Sequence, residues 1–438
     1  MLLSPKRQLR LFLLCASLSA LVAHAQGTAN SEAEPLSTSV GAWDASGQLR
    51  TQWAQPRVAD AGPLAMANAV QAGTAVVATP GATAEAELRA RGHGFTSVAT
   101  VQHQSLQGAS AQNAQVQNQS WMNEVYASHD AGAWQFSAGK KIVSWDVGYA
   151  FRPNDLVQQE ERRTLVSTTS IGRPVLTAER FNADSAWSLV AVNPVNTIDA
   201  LGAQEAALAA RAYLRDGAVD WHAFARAGQH TGASVGAAVA WVASDAVELH
   251  ASARYARQVD SKAMATGSQI NGVLSTNPWQ ASRLQDVAQA LVGGTWTHVS
   301  QFSVLAEAWW DGSALSDDQW DAWGARNAQL QRFATMGAPA SAVAGNLAWQ
   351  AEAFGASSSL RRSNVFVRAS WVQGAWTPAV DVLYTPADQG QAVSASVVWQ
   401  GDRMQVQAGV RSYGGPGTAV MVQLPTQQTA YVHANWSF

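Results

Sequence analysis

What most constrains this chain is an alternation of apolar with polar or small residues at period two, sustained over segments of about ten residues. Val365, Val367, Ala369 and Trp371 alternate with Asn364, Phe366, Arg368 and Ser370. Phe302, Val304, Ala306, Ala308 and Trp310 alternate with Gln301, Ser303, Leu305, Glu307 and Trp309. The pattern recurs at 393–399, 247–255 and 208–214. Successive side chains of a strand point to opposite faces, so each segment reads as a strand with one apolar face. A soluble sheet would alternate in the same way. Two features tilt against it. Strands of about ten residues have the length a tilted membrane strand needs. Their apolar faces often end in an aromatic residue, as at Trp310, Trp371, Trp399 and Tyr255, and Trp and Tyr favour membrane interfaces.

The chain ends Tyr431-Val432-His433-Ala434-Asn435-Trp436-Ser437-Phe438, with Val432, Ala434, Trp436 and Phe438 on one face. A last alternating strand that closes on Phe resembles the assembly signal of Gram-negative outer-membrane β-barrel proteins of the porin-like kind. The resemblance implies recognition of Trp436 and Phe438 by the barrel assembly machinery. It also implies contact with outer-membrane lipid and lipopolysaccharide.

The other end of the chain agrees. Lys6, Arg7 and Arg10 precede an apolar run from Leu11 to Val22, and Ala23-His24-Ala25 is a small-x-small cleavage site. Residues 1–25 therefore read as a signal peptide and 26–44 as a leader, followed by one barrel over 45–438. The one cysteine, Cys15, falls within the signal, so a disulfide scaffold is excluded. A formal net charge of −3 lacks the basic excess of a nucleic-acid binder, so no nucleic-acid partner is expected. Charged residues make up 13% of the chain against a usual soluble share of about 25%, as suits a wall wrapped in lipid.

Counting back from Phe438 yields twenty candidate strands, including 418–424 and 346–354. The expected fold is an all-β, transmembrane antiparallel up-and-down β-barrel of about 18–20 strands, with sixteen left open. Short turns of such barrels face the periplasm and long loops face outward. The long connections 55–82, 104–120, 144–173, 258–285 and 312–345 then all fall on the outer side. Segments 355–363, 386–390 and 414–417 fall among the periplasmic turns.

Charged residues on inward faces include Glu85, Glu87, Arg89, Arg91, Arg211, Arg215, Arg226, Glu248, Arg254, Glu307, Arg368, Asp381 and Arg411. An Arg facing lipid near the midplane would cost roughly 2–4 kcal/mol, so these belong to the lumen. Paired charges on a solvated wall are the plain reading. A basic bias that favours anions is the sharper one. The third outer loop, 144–173, carries Trp145, Tyr149 and Phe151 together with Arg152, Asp155, Glu160, Glu161, Arg162 and Arg163. Its position matches the porin loop that folds inward, so these six charges are expected to set a field at a pore constriction. Lone strand histidines such as His222, His250 and His433 read as wall residues, with no metal or cofactor expected.

The function expected is a channel for passive diffusion of small hydrophilic solutes, mildly anion-favouring, without covalent chemistry. A homo-oligomer is compatible with it. Two other readings stay open: an export or assembly barrel serving a periplasmic partner, and an outer-membrane hydrolase with a rim-located site.

Overall fold

The computed structural model describes residues 43–106, 115–159, 170–195, 204–265 and 274–438, so the signal and most of the leader lie outside the described residues. Alternation becomes eighteen strands. The first nine are β1 (Asp44–Val58), β2 (Gly81–Gly92), β3 (Phe95–Leu106), β4 (Gln115–Ala131), β5 (Trp134–Lys141), β6 (Arg173–Phe181), β7 (Ser185–Val192), β8 (Ala207–Asp216) and β9 (Val219–Gly228). The rest are β10 (Gly232–Ser244), β11 (Val247–Met264), β12 (Trp279–Thr297), β13 (Phe302–Asp311), β14 (Ser363–Trp371), β15 (Trp376–Thr385), β16 (Gly390–Gln400), β17 (Met404–Gly414) and β18 (Thr426–Ser437). Each pairs antiparallel with its neighbours in sequence, and β1 pairs with both β2 and β18. The sheet closes on itself and leaves no open edge.

The strand number is a correction: eighteen, not the twenty counted and not sixteen. Two expected strands do not exist. Residues 346–354 end a helix, Ala340–Trp349, and continue as a 3-10 turn, Gln350–Gly355. In that window Leu347, Trp349, Ala351 and Ala353 mimic period two. The buried positions are instead Val343, Ala344, Leu347 and Gln350, which is the helical period. Residues 418–424 hold a second 3-10 turn, Val420–Gln423. Without these two strands, every long connection lies at one end of the barrel. The other end carries only the short turns 93–94, 132–133, 182–184, 217–218, 245–246, 298–301, 372–375 and 401–403.

The outer face locates much of the tryptophan. Trp134, Trp187, Trp221, Trp241, Trp296, Trp371, Trp376, Trp399 and Trp436 all lie near the short-turn ends of their strands and on the outward face. They form one interfacial belt. The opposite belt is sparser, with Trp53, Tyr255, Trp310 and Tyr384. The seam is closed by the chain terminus. Phe438 N–H donates to the Gly47 carbonyl at 2.9 Å, and Gly47 N–H returns to the Phe438 carbonyl at 2.7 Å. A Cβ on Gly47 would stand 2.5 Å from the Phe438 ring, so glycine is what lets the last side chain lie over β1.

The long connections build a helical cap: α1 (Pro63–Val70), α2 (Asp317–Thr335) and α3 (Ala340–Trp349). A capping box starts α2: Ser316 Oγ accepts from Gln319 N–H, and the Gln319 side chain accepts from Ser316 N–H. Asp317 and Asp318 follow in its first turn, where the helix dipole favours acids. Ala67, Leu330, Val343 and Leu347 pack the three helices together. Trp320 and Trp323 meet edge to face at 5.3 Å and bury against Trp279 of β12. Trp323 Nε1–H donates to the Gln350 carbonyl at 2.9 Å. Trp323→Ala should cost the cap about 3–5 kcal/mol. Trypsin should then cut faster after Arg326 and Arg332 while the barrel circular dichroism stays unchanged. Unchanged cleavage would show that this tryptophan does not hold the cap.

Candidate channel constriction

The connection between β5 and β6 enters the barrel because the inner wall has an apolar patch to receive it. Val175 of β6, Val190 and Val192 of β7, Ala209 of β8, Phe224 of β9 and Ala238 of β10 all face inward and are buried. Trp145, Leu156 and Val157 of the connection cover them, and Leu156 and Val157 are fully buried. Each such aliphatic side chain removed from water contributes about 1.5–3 kcal/mol. Between these anchors the chain extends along the inner wall past β11 and β12 to β13 and β14. Phe151 stacks on Trp309 of β13 at 5.6 Å, and Tyr149 stacks on Phe366 of β14 at 5.9 Å.

A polar clamp fixes the crossing. The Glu307 carboxylate, buried on β13, accepts from Tyr149 N–H at 2.6 Å and from Ala150 N–H at 2.7 Å. His250 of β11 lies 2.9 Å from the same carboxylate. His250, Gly293 and Glu307 occupy one row across β11, β12 and β13. A Cβ on Gly293 would come within 2.6 Å of both side chains, so the glycine opens the gap through which they meet. Asn154 Nδ2 donates to Ser252 Oγ at 2.9 Å and to the Ala253 carbonyl at 3.0 Å. Asp146 folds the loop on itself, accepting from Val147 N–H and Asn154 N–H. Burial raises its carboxyl above the usual range, with the hydrogen bonds from Ser252, Asn154 and Val147 pulling the other way.

The six charges expected at the constriction separate. Arg152 is tied inside the loop, donating to the Gly148 carbonyl at 2.8 Å and Ser144 Oγ at 3.1 Å. Asp155 is buried and lies within electrostatic reach of Arg173 and Arg254. Glu160, Glu161, Arg162 and Arg163 lie outside the described residues.

Several of the wall residues pair. Arg50 meets Glu87 at 3.0 Å and Glu85 at 3.8 Å. Arg368 meets Asp381 at 2.8 Å, and Arg215 meets Asp220 at 3.0 Å. Glu248 lies 3.5 Å from His250. Arg226 is buried with Glu205 at 2.7 Å. Arg89 and Arg91 stand in the inward rows of β2. Three further arginines sit outside such pairs. Arg211 sits over the Tyr213 ring at 5.6 Å, Arg411 donates to Ser394 Oγ at 2.8 Å, and Arg254 reaches the Pro153 carbonyl at 3.4 Å. Among the described residues none of these three has a carboxylate within salt-bridge distance. The inner wall therefore offers polar groups, balanced pairs and a few arginines outside contact-distance pairs around a loop clamped against it.

Solved structures with this barrel can now be compared. Acinetobacter baumannii OccAB1 superposes with a TM-score of 0.53 at 10% identity, over 91% of this chain and 97% of that one. Mutant forms of the Rhodopseudomonas blastica porin align with TM-scores of 0.40–0.41 at 11% identity, over 91% of this chain and all of theirs. The chain is porin-like in fold. No family model matches it, and no curated protein matches it.

The apolar inner patch and the Glu307 clamp were not singled out from the sequence. Glu307 was visible as an inward charge, but its partners come from other strands and from the loop.

Proposed function

We propose that the barrel is an outer-membrane channel through which small hydrophilic solutes diffuse passively, with a mild preference for anions. The observation that carries this reading is the clamped loop held inside a barrel whose inner wall bears charged and polar side chains. A structural staple alone would not require so polar a wall, whereas a water-filled path does. The bias is assigned to Arg211, Arg254 and Arg411, which have no carboxylate at contact distance among the described residues, with Glu179 acting on Arg211 and Asp311, Asp155 and Asp146 acting on Arg254 from further away. Export by the signal peptide, assembly through Trp436 and Phe438, and a lipopolysaccharide-facing outer rim complete the proposal. No covalent chemistry belongs to the channel itself.

Planar-bilayer recording tests it. The purified chain should conduct, and a salt gradient should produce a reversal potential of anion-selective sign. Arg211→Ala together with Arg254→Ala should move that potential toward zero or reverse it. Deletion of 154–163 should raise single-channel conductance. A barrel that inserts but does not conduct would overturn the channel reading. An unmoved reversal potential would overturn the assignment of the bias to these arginines.

A further inference from the structure

His103 of β3 points outward, and its Nδ1 lies 2.6 Å from Asn118 Oδ1 on β4, directly across the ladder. Both residues are exposed. The amide oxygen can only accept, so Nδ1–H donates and Nε2 is left as the basic nitrogen. That is how a carboxylate or amide orients the histidine of an acyl-transfer triad. Ser105 lies two residues further along β3 on the same outward face. Strand geometry sets their Cβ atoms about 6.7 Å apart, a gap an imidazole and a hydroxymethyl group can bridge.

Depth gives the arrangement its meaning. From Phe302 to Trp310 on β13, and from Trp376 to Tyr384 on β15, the outward face runs from one aromatic belt to the other. The same step along β3, from Phe95, arrives at His103. A histidine thus occupies a position that other strands give to an interfacial aromatic. The ester carbonyls of a lipid leaflet lie at such an interface. Ser105 is one period closer to the long-loop end, toward the headgroups. Its cross-strand neighbours are Ala82 on β2 and Val116 on β4, and Ala84 stands opposite His103. These β2 neighbours are small, and Trp53 of β1 stands beyond Ala82 in the same row. Val101 and Val116 are more than half exposed and supply apolar surface for an acyl chain.

We propose that Ser105, His103 and Asn118 form a lipid-facing acyl-ester hydrolase site on the outside of the barrel. It is separate from the lumen and independent of the channel reading. Ser105 Oγ attacks the ester carbonyl while His103 Nε2 takes the hydroxyl proton. The tetrahedral adduct expels the alcohol, which leaves with that proton, and an acyl-serine remains. Water, deprotonated by the same nitrogen, then attacks the acyl-serine; the Ser105 hydroxyl is regenerated and a fatty acid is released. Asn118 is a positioning residue that holds the imidazole tautomer. The substrate is an ester-linked acyl chain of a membrane lipid, carried by either a glycerophospholipid or lipid A.

The full-length barrel is incubated with vesicles of acyl-labelled phosphatidylethanolamine and, separately, with vesicles containing lipid A. A fluorophosphonate probe is added in parallel, and the adduct is mapped by mass spectrometry. Fatty acid release from one of the two vesicle types names the lipid. Ser105→Ala and His103→Gln should each lower that release by about 10³-fold or more. The adduct should map to Ser105 and vanish in Ser105→Ala. Asn118→Ala should slow release and Asn118→Asp should restore it, which a merely structural role would not do. The far-ultraviolet circular dichroism of Ser105→Ala should equal that of the parent barrel and so report that it is folded. Release from neither vesicle type by the folded parent barrel would overturn the proposal. So would an adduct on another serine, or full release by Ser105→Ala.

Discussion

Glu307→Ala is expected to free the inward loop and raise single-channel conductance, with noisier open-state current. The carboxylate is the meeting point of two loop N–H groups and the His250 ring. Its removal leaves those donors facing a space that alanine cannot fill. Each buried donor left unpaired costs about 1–3 kcal/mol, so the crossing segment at Tyr149 and Ala150 loses its reason to stay against β13. The anchors Trp145, Leu156 and Val157 remain, because they pack on β6 to β10 and not on Glu307. The loop should therefore stay tethered to β6–β10 and swing away from β13 and β14. Glu307→Gln is the informative partner. Its amide oxygen can still accept one of the two N–H groups, so its conductance should fall between parent and alanine. Planar-bilayer recordings of the three proteins check the order. Equal conductance in all three would show that the contact does not shape the current path.

How much of this was legible in the sequence depends on whether the signal was local. Strand alternation is local, and it survives as the eighteen strands. The C-terminal pattern is local too, and β18 closes the barrel on β1 with Phe438 over Gly47. A short window can fit two periods. Alternation predicts strands at 346–354 and 418–424, where the chain is helical or turns. Each one alone would have put long connections at the wrong end. Together they cancelled, since two false strands restore the parity that one breaks. With a false strand on either side, 355–363, 386–390 and 414–417 fall to the short-turn end, although all three lie at the end of the long connections. Parity checks the evenness of a count and not its members. The Ser316-x-x-Gln319 capping signal with Asp317 and Asp318 was present ahead of Trp320 and Trp323, and it marks the start of a helix. The clamp is another matter. His250, Gly293 and Glu307 meet only because of the register of three strands, and no spacing along one chain encodes that row.

The largest loss of stability is expected from Glu205→Ala, at the loop end of the barrel between β7 and β8. Glu205 is fully buried and gathers four groups: Arg226 Nη1 at 2.7 Å, His230 N–H at 2.7 Å, Thr231 N–H at 3.1 Å and the Thr231 hydroxyl. It ties the β7–β8 connection to the β9–β10 turn. Gly228 makes room for it, since a Cβ there would stand 2.2 Å from Glu205 Oε1. Arg226 keeps only 3% of its side-chain surface exposed, so removing its carboxylate strands a buried cation. Breaking one side of such a pair costs about 3–5 kcal/mol, more than the pair itself contributes. Urea unfolding followed by tryptophan fluorescence should show that loss. Glu205→Ala combined with Arg226→Met should recover much of it, because the stranded charge is then gone. The pH dependence has a definite sign. Burial alone would raise the Glu205 carboxyl, but the bonds from Thr231, His230 and Arg226 outweigh it and hold the group below its usual range. A carboxyl with a depressed folded value contributes stability that is present above the unfolded value and lost as pH falls through the folded one. The parent barrel should therefore lose this contribution on acidification below the ordinary carboxylate range, while Glu205→Ala, lacking the group, should show a flatter profile there. Parallel profiles for the two proteins would mean that the carboxylate is not what holds these two connections together.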